Sequence, residues 1–193
     1  MSRTLTFDRE TILQNAMQLF WEKGYNATSM QDLVEATGLN RSSIYNTFGS
    51  KLDLYKASLS VYQKRTGKTL KEVLLKANRP SEALQKVFEM ALREIVEDKE
   101  GRGCFNMNCK SEMGNQNLEI RHWLLGTQEE MLSLFESLVS QGQQEAEFNL
   151  DKSAQEYAYY LYSSFQGFRM TGILVKDRPV LEGIISNTLS VLK

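Results

Sequence analysis

The sequence predicts an all-α chain, and three observations carry that expectation. Apolar residues recur every three or four positions through most of the 193 residues, no stretch alternates apolar and polar residues long enough for a strand, and only two prolines occur. The twelve glycines fall mostly where one periodic segment gives way to the next. About nine helices are expected.

Asp8 opens the first helix, and Ile12, Ala16, Leu19 and Phe20 mark one face of it until Gly24, after which Tyr25 packs back on the same small core. Ser29 opens the second: its hydroxyl is placed to cap the amide of Asp32, while Met30, Leu33 and Val34 share a face. Thr37-Gly38 ends it, because a chain reversing within three residues needs a positive φ that glycine adopts without penalty. Asn40 caps a third helix whose Ile44 and Phe48 point inward, leaving Arg41, Ser42, Ser43, Tyr45 and Asn46 outside. Ser50-Lys51-Leu52-Asp53 repeats the capping pattern of Ser29 and starts a fourth helix through Leu54, Tyr55, Leu59 and Tyr62 toward Leu75, bridging two parts of the chain.

Asn78-Arg79-Pro80-Ser81 breaks the pattern, with Ser81 expected to cap a fifth helix carrying Leu84, Val87, Phe88, Ala91, Leu92 and Ile95 on one side. Gly101-Arg102-Gly103 separates it from a short sixth helix over about 104–113. Gly114-Asn115 precedes a long seventh over about 116–147, weakened locally at Gly126 and Gly142. An eighth helix is expected from an Asp151 cap to about Lys176, and a ninth from about Pro179 to Leu192.

Two short helices joined by a glycine turn, over residues 28–51, form a geometry that serves chiefly to set a helix in a DNA groove. The outward set on the third helix can bond to phosphates and base edges. A net charge of −1 fits this once divided, since residues 1–76 carry a surplus of four positive charges and residues 77–193 an excess of five negative ones. Lys64, Arg65, Lys68, Lys71 and Lys76 contribute to that surplus, yet they read first as a solvated helix face.

Other classes fall away. No apolar run reaches the roughly 18 residues of a membrane span, and Met-Ser-Arg-Thr-Leu-Thr lacks the apolar stretch of a signal peptide, so a cytoplasmic chain with no membrane partner is expected. Two cysteines, Cys104 and Cys109, and a single histidine, His122, imply neither a disulfide scaffold nor a metal site. No cofactor is implied, and no Gly-rich phosphate loop or nucleophile motif points to an enzyme.

Phe20-x-x-x-Gly24-Tyr25, Ala27-Thr28-Ser29-Met30-x-Asp32-Leu33, Gly38-Leu39 and Ser43-Ile44-Tyr45-x-x-Phe48-x-Ser50-Lys51 follow one another in the first 51 residues. Together they resemble the TetR family of bacterial transcriptional repressors, over residues 8–60 in sequence and beyond that in architecture. Val34 stands where the family usually has alanine, and Asn46-Thr47 replace a common histidine or tyrosine pair, which leaves the preferred DNA sequence open. The resemblance implies a helix-turn-helix domain over 1–50 and a helical ligand-binding and dimerisation domain over 51–193, with the bridging helix at about 51–76. It implies a homodimer that represses from a palindromic operator in double-stranded DNA and is released by a small-molecule effector. By position, Arg41, Ser42, Ser43, Tyr45 and Asn46 face the major groove, while Thr28, Ser29 and Lys51 hold phosphates. Amides and hydroxyls at a helix start suit phosphate oxygens, and the fork of Arg41 can bond two acceptors of a guanine.

In the last helix Leu181, Ile184, Ile185, Thr188, Leu189 and Leu192 form an apolar stripe, and the helix before it offers Tyr157, Ala158, Leu161, Phe165 and Phe168. The resemblance implies a four-helix dimer interface from these stripes, with internal core as the alternative. Met107, Cys109, His122, Trp123, Met131, Phe135, Tyr159, Tyr162, Phe165 and Arg169 are candidate pocket residues for an apolar or aromatic ligand, with about half expected to line a cavity. Arg169, on a mostly apolar helix, needs an anion, either a ligand carboxylate or, more readily, a neighbouring Asp or Glu. A thiol at a helix start sits at the positive end of the dipole, so a redox- or electrophile-sensing repressor using Cys104 or Cys109 is an alternative. A helical enzyme with an incidental helix-turn-helix is the alternative of another class.

Overall fold

The computed structural model describes residues 8–193; Met1–Phe7, on which the expectation about a leader rests, lie outside the described residues. Among the described residues nine helices form: α1 (Arg9–Lys23), α2 (Met30–Thr37), α3 (Arg41–Phe48), α4 (Lys51–Leu74), α5 (Pro80–Glu97), α6 (Phe105–Met113), α7 (Leu118–Gln144), α8 (Ala154–Leu174) and α9 (Arg178–Ser190). None of them is long and apolar enough to cross a membrane.

Local chemistry sets the boundaries. Ser29 and Ser50 each form a full capping box, with Asp32 and Asp53 returning the bond, and Gly38 ends α2 in the left-handed conformation at φ 71°. Two expected caps are displaced, and one start is shifted. Ser81 lies inside α5, whose cap is Arg79 with Pro80 in the first turn. The fixed φ of proline suits that position and its missing N–H costs nothing there. Arg79 makes no side-chain cap; the Glu147 carboxylate from the segment after α7 accepts the Ser81 N–H instead, at 3.1 Å. Asp151 likewise gives way to Ser153, which with Glu156 makes the capping box of α8. Asp177 caps α9 by accepting the Val180 N–H at 3.0 Å, so the helix starts at Arg178, one residue ahead of the expected Pro179.

α7 runs unbroken through Gly126 and Gly142. Gly142 is buried against the ring of Phe148, which occupies the space a Cβ would need. Tertiary packing there outweighs the propensity penalty.

Two apolar cores result. The first gathers Leu13, Phe20, Leu33, Ile44 and Tyr55 from α1 to α4, and also Phe105, Cys109 and Met113 of α6 with Ile120 of α7. The second packs α5, α7, α8 and α9 through Phe88, Phe135, Leu161, Phe165, Phe168 and Leu181, with Leu70 and Leu74 of α4 against it. The long bridging helix thus inserts its first half into one core and lays its second half on the other.

Candidate nucleic-acid interface

The α2–α3 unit is held from below by Leu33, Leu39 and Ile44, none more than 3% exposed. With those side chains turned inward, helical geometry forces Arg41, Ser42, Tyr45, Asn46 and Thr47 to the surface, where all are exposed. Asn40 fixes the entry to α3 by accepting the Ser43 N–H at 2.8 Å and the Ser42 hydroxyl at 2.7 Å. The Arg41 guanidinium lies 5.9 Å from the Tyr45 ring centroid, so the two side chains form one amphipathic ridge. Thr47 belongs to this surface by the same periodicity, and Ser43 is only half-exposed.

Of the three expected phosphate contacts, Lys51 has the required donor. Its Nζ lies 4.4 Å from the Tyr25 ring centroid at the first turn of α4. Burial lowers its pKa, with Glu112 and Asp32 pulling the other way. Thr28 is a correction: it is 1% exposed and its hydroxyl donates to the Gly24 carbonyl at 2.6 Å, so the side chain faces the core. Ser29 is exposed, but both its N–H (2.7 Å) and its hydroxyl (2.8 Å) donate to Asp32. The capping box occupies the donors that a phosphate oxygen would need.

Beneath this surface the first helix is tied to the carboxy-terminal half. The Glu112 carboxylate of α6 accepts the N–H groups of Tyr25 (2.8 Å) and Asn26 (2.7 Å), and the Trp21 indole donates to the Gly103 carbonyl at 3.0 Å. Gly24, at φ 79°, permits the close approach, since a Cβ there would sit 2.9 Å from Glu112 Oε2. Arg102 stacks over Trp21 at 4.7 Å, and Lys56 of α4 pairs with Glu119 of α7 at 2.7 Å. Periodicity along one helix gives no sign of contacts between residues so far apart in the chain.

Comparison with known proteins gives the family and the fold. Residues 12–58 match the family model for bacterial regulatory proteins of the tetR family, and residues 80–186 match that of the tetracyclin repressor-like C-terminal domain. The chain belongs to the TetR family. Similar proteins include the transcriptional regulator YezE of Bacillus subtilis, 25% identical with both chains covered completely. The repressor ComR of Escherichia coli is 36% identical over 55% of this chain and 51% of its own. Among solved structures, the TetR-family regulator CifR in complex with a 26-base-pair operator superposes with a TM-score of 0.85, 25% identity and full coverage of both chains. Reduced NemR of Escherichia coli, at 16% identity and a TM-score of 0.84 over 96% of each chain, shares the fold.

In this TetR-family chain the expected pocket residues divide evenly. Met107, Met131, Tyr162, Phe165 and Arg169 line a cavity of about 190 Å³ between α4, α5, α6, α7 and α8. The other five are corrections. Cys109 and Phe135 are wholly buried in the two cores, Trp123 packs against the first core, and His122 and Tyr159 are turned to the surface. Arg169 has the protein anion expected for it: its guanidinium donates to Glu94 at 2.8 Å. Burial disfavours the charge of Arg169, but Cys104, Glu94 and Tyr62 around it raise its pKa and keep it protonated.

The α8 and α9 stripes need a correction as well. Tyr157, Leu161, Phe168, Leu181, Ile185, Thr188 and Leu192 are each 6% exposed or less, and Ile184 and Leu189 pack partly against the same core. Their periodicity marks the face packed inside the chain. The outward face of α8 instead carries Tyr160, Gly167, Met170 and Leu174, and that of α9 carries Val180, Gly183, Asn187 and Val191. Of the two cysteines, Cys104 caps α6 and lies half-buried at the cavity, accepting a hydrogen bond from the Tyr62 hydroxyl at 3.6 Å. Burial pushes the Cys109 thiol up to about 11, with Tyr55 opposing and Glu112 adding to the shift, which removes it as a reactive thiolate.

Proposed function

We propose that the protein is a transcriptional repressor that holds a palindromic operator as a homodimer and releases it when a small molecule enters the cavity beside Arg169. One observation carries the DNA reading: the Asn40-capped α3 presents Arg41, Tyr45 and Asn46 outward, with the Lys51 ammonium at the next helix start. That surface pairs a fork able to read a base with a point charge suited to a phosphate. The operator complex of CifR supports carrying the same role to this chain. Unit 1–50 is assigned to DNA and 51–193 to ligand and partner.

The outward faces of α8 and α9 support the dimer. Tyr160, Gly167, Met170 and Leu174 are exposed on α8, and Val180, Gly183, Asn187 and Val191 form an exposed face of α9 without a charged side chain. Leu174 is 89% exposed, an arrangement that favours burial against a second copy.

Fluorescence anisotropy with the promoter of the protein's own gene tests the reading. Tyr45→Ala is expected to weaken operator binding about tenfold or more, and Lys51→Ala to weaken all duplexes alike and lower the slope against salt by about one. Leu174→Asp is expected to leave a folded monomer with little operator affinity. Unchanged affinity in the first two variants would remove the assigned surface.

A further inference from the structure

The turn after α1 is completed from another part of the chain. Gly24 closes the helix by donating to the Phe20 carbonyl at 2.9 Å, and the next two amides find their acceptor 87 and 86 residues away. Glu112 of α6 meets one with each carboxylate oxygen, Oε2 accepting from Tyr25 at 2.8 Å and Oε1 from Asn26 at 2.7 Å. A carboxylate that grips two successive amides fixes the place and the orientation of the peptide between them.

Lys51 rests on the residue held in this way. The Tyr25 ring is set against Phe20, with centroids 6.3 Å apart, and against Tyr55 at 5.0 Å, and the Lys51 ammonium lies 4.4 Å from its centroid. Nearby carboxylates are engaged elsewhere: Asp32 pairs with Lys23 at 2.7 Å and Asp53 with Lys56 at 2.9 Å. Among the described residues Lys51 forms no ion pair, so its ammonium donors stay open to a phosphate. Glu112 also lies near enough to offset part of the cost of burying that ammonium. A lysine stem is flexible, and one whose head is already placed loses less freedom when it meets its partner.

From this geometry we infer that Glu112 is a positioning residue of the DNA interface: by holding the Tyr25 peptide it places the ring on which the Lys51 ammonium stands ready for a phosphate. The DNA-binding unit is thereby completed by a side chain of α6, far outside residues 1–50. This role rests on the reading above that gives Lys51 a phosphate.

Charge alone predicts the opposite effect. A carboxylate beneath a surface that meets phosphates repels them, so its removal should tighten binding. Placement predicts that its removal loosens binding, because the lysine loses its seat.

Fluorescence anisotropy on the full chain, with a duplex carrying the promoter of its own gene and over a series of salt concentrations, separates the two. Each variant is measured at a temperature where circular dichroism shows it folded. Glu112→Ala removes the charge and both hydrogen bonds, whereas Glu112→Gln removes the same charge and keeps a carbonyl oxygen for one amide. Glu112→Ala is expected to bind about tenfold more weakly than the parent with a shallower salt slope, and Glu112→Gln to lie between them. The double variant with Lys51→Ala is expected to bind about fivefold more tightly than the product of the separate losses implies, since the second change finds the contact already impaired.

Glu112→Ala binding as tightly as the parent or tighter, the alanine and glutamine variants binding alike, or losses that simply multiply in the double variant would overturn the positioning role. Lys51→Ala without effect on affinity or salt slope would remove the phosphate assignment and this role with it. A loss in Lys51→Ala with none in Glu112→Ala would leave the DNA surface standing and remove the role of Glu112 alone.

Discussion

Replacing Glu112 with alanine strips two hydrogen bonds from the turn that follows α1. The carboxylate accepts from Tyr25 at 2.8 Å and from Asn26 at 2.7 Å, and these bonds join residues 86 and 87 positions apart in sequence. A hydrogen bond to a charged group contributes roughly 1.5–3 kcal/mol where water cannot replace it. Asn26 is exposed, so water takes over its N–H and little is lost there. Tyr25 is half-buried, stacked between Phe20 and Lys51, and its N–H is harder to rehydrate. The expected loss is therefore close to that of one charged bond, about 2 kcal/mol. For a chain of this size that lowers the melting temperature by about 4–8 °C, measured by circular dichroism at matched protein concentration. Operator affinity is expected to fall as well, since the same turn leads into the Ser29 cap of α2. A melting temperature within 1 °C of the parent protein would show that the Glu112 tie carries no stability and would refute this reasoning.

Three further outcomes follow from the packing. In Gly172→Ala the new Cβ would lie within 2.7 Å of three side-chain carbons of Ile95, so overpacking of about 1–3 kcal/mol is expected to exceed the gain in helix propensity, and urea denaturation would register the loss. Iodoacetamide at neutral pH is expected to modify Cys104 well before Cys109, which is wholly buried with its thiol pushed up to about 11; peptide mass spectrometry showing equal rates would contradict this. Asp32 is held below its ordinary pKa by Lys23 first and then Ser29, and Asp53 by Ser50 first and then Lys56. A carboxylate whose folded pKa is depressed stabilises the fold above the unfolded value of about 3.9 and loses that contribution as pH falls through the folded one. Stability is thus expected to be flat in these two groups above about pH 5 and to decline below about pH 4, with a shallower decline in Asp32→Asn and Asp53→Asn.

Local signals in the sequence determined the helix count, the two capping boxes at Ser29 and Ser50, the glycine turn at Gly38 and the outward set on α3. Each of these depends on residues within four positions of one another, where side-chain hydrogen bonds and helical periodicity act directly. The motif from Phe20 to Lys51 resolved the family for the same reason. The Ser81 and Asp151 caps went astray because a distant carboxylate, Glu147, and a nearby complete box, Ser153 with Glu156, satisfied the amides better.

Tertiary structure alone decided which of two apolar faces a helix turns inward. The stripes of α8 and α9 have the same period whether they pack inside the chain or across a twofold axis, and burial put Leu161, Phe168 and Leu181 inside. It decided that Thr28 bonds to Gly24 rather than facing outward, and that Arg169 meets Glu94. Those relations join side chains brought together by packing, and a pattern read along one helix holds no information about what the next helix places against it.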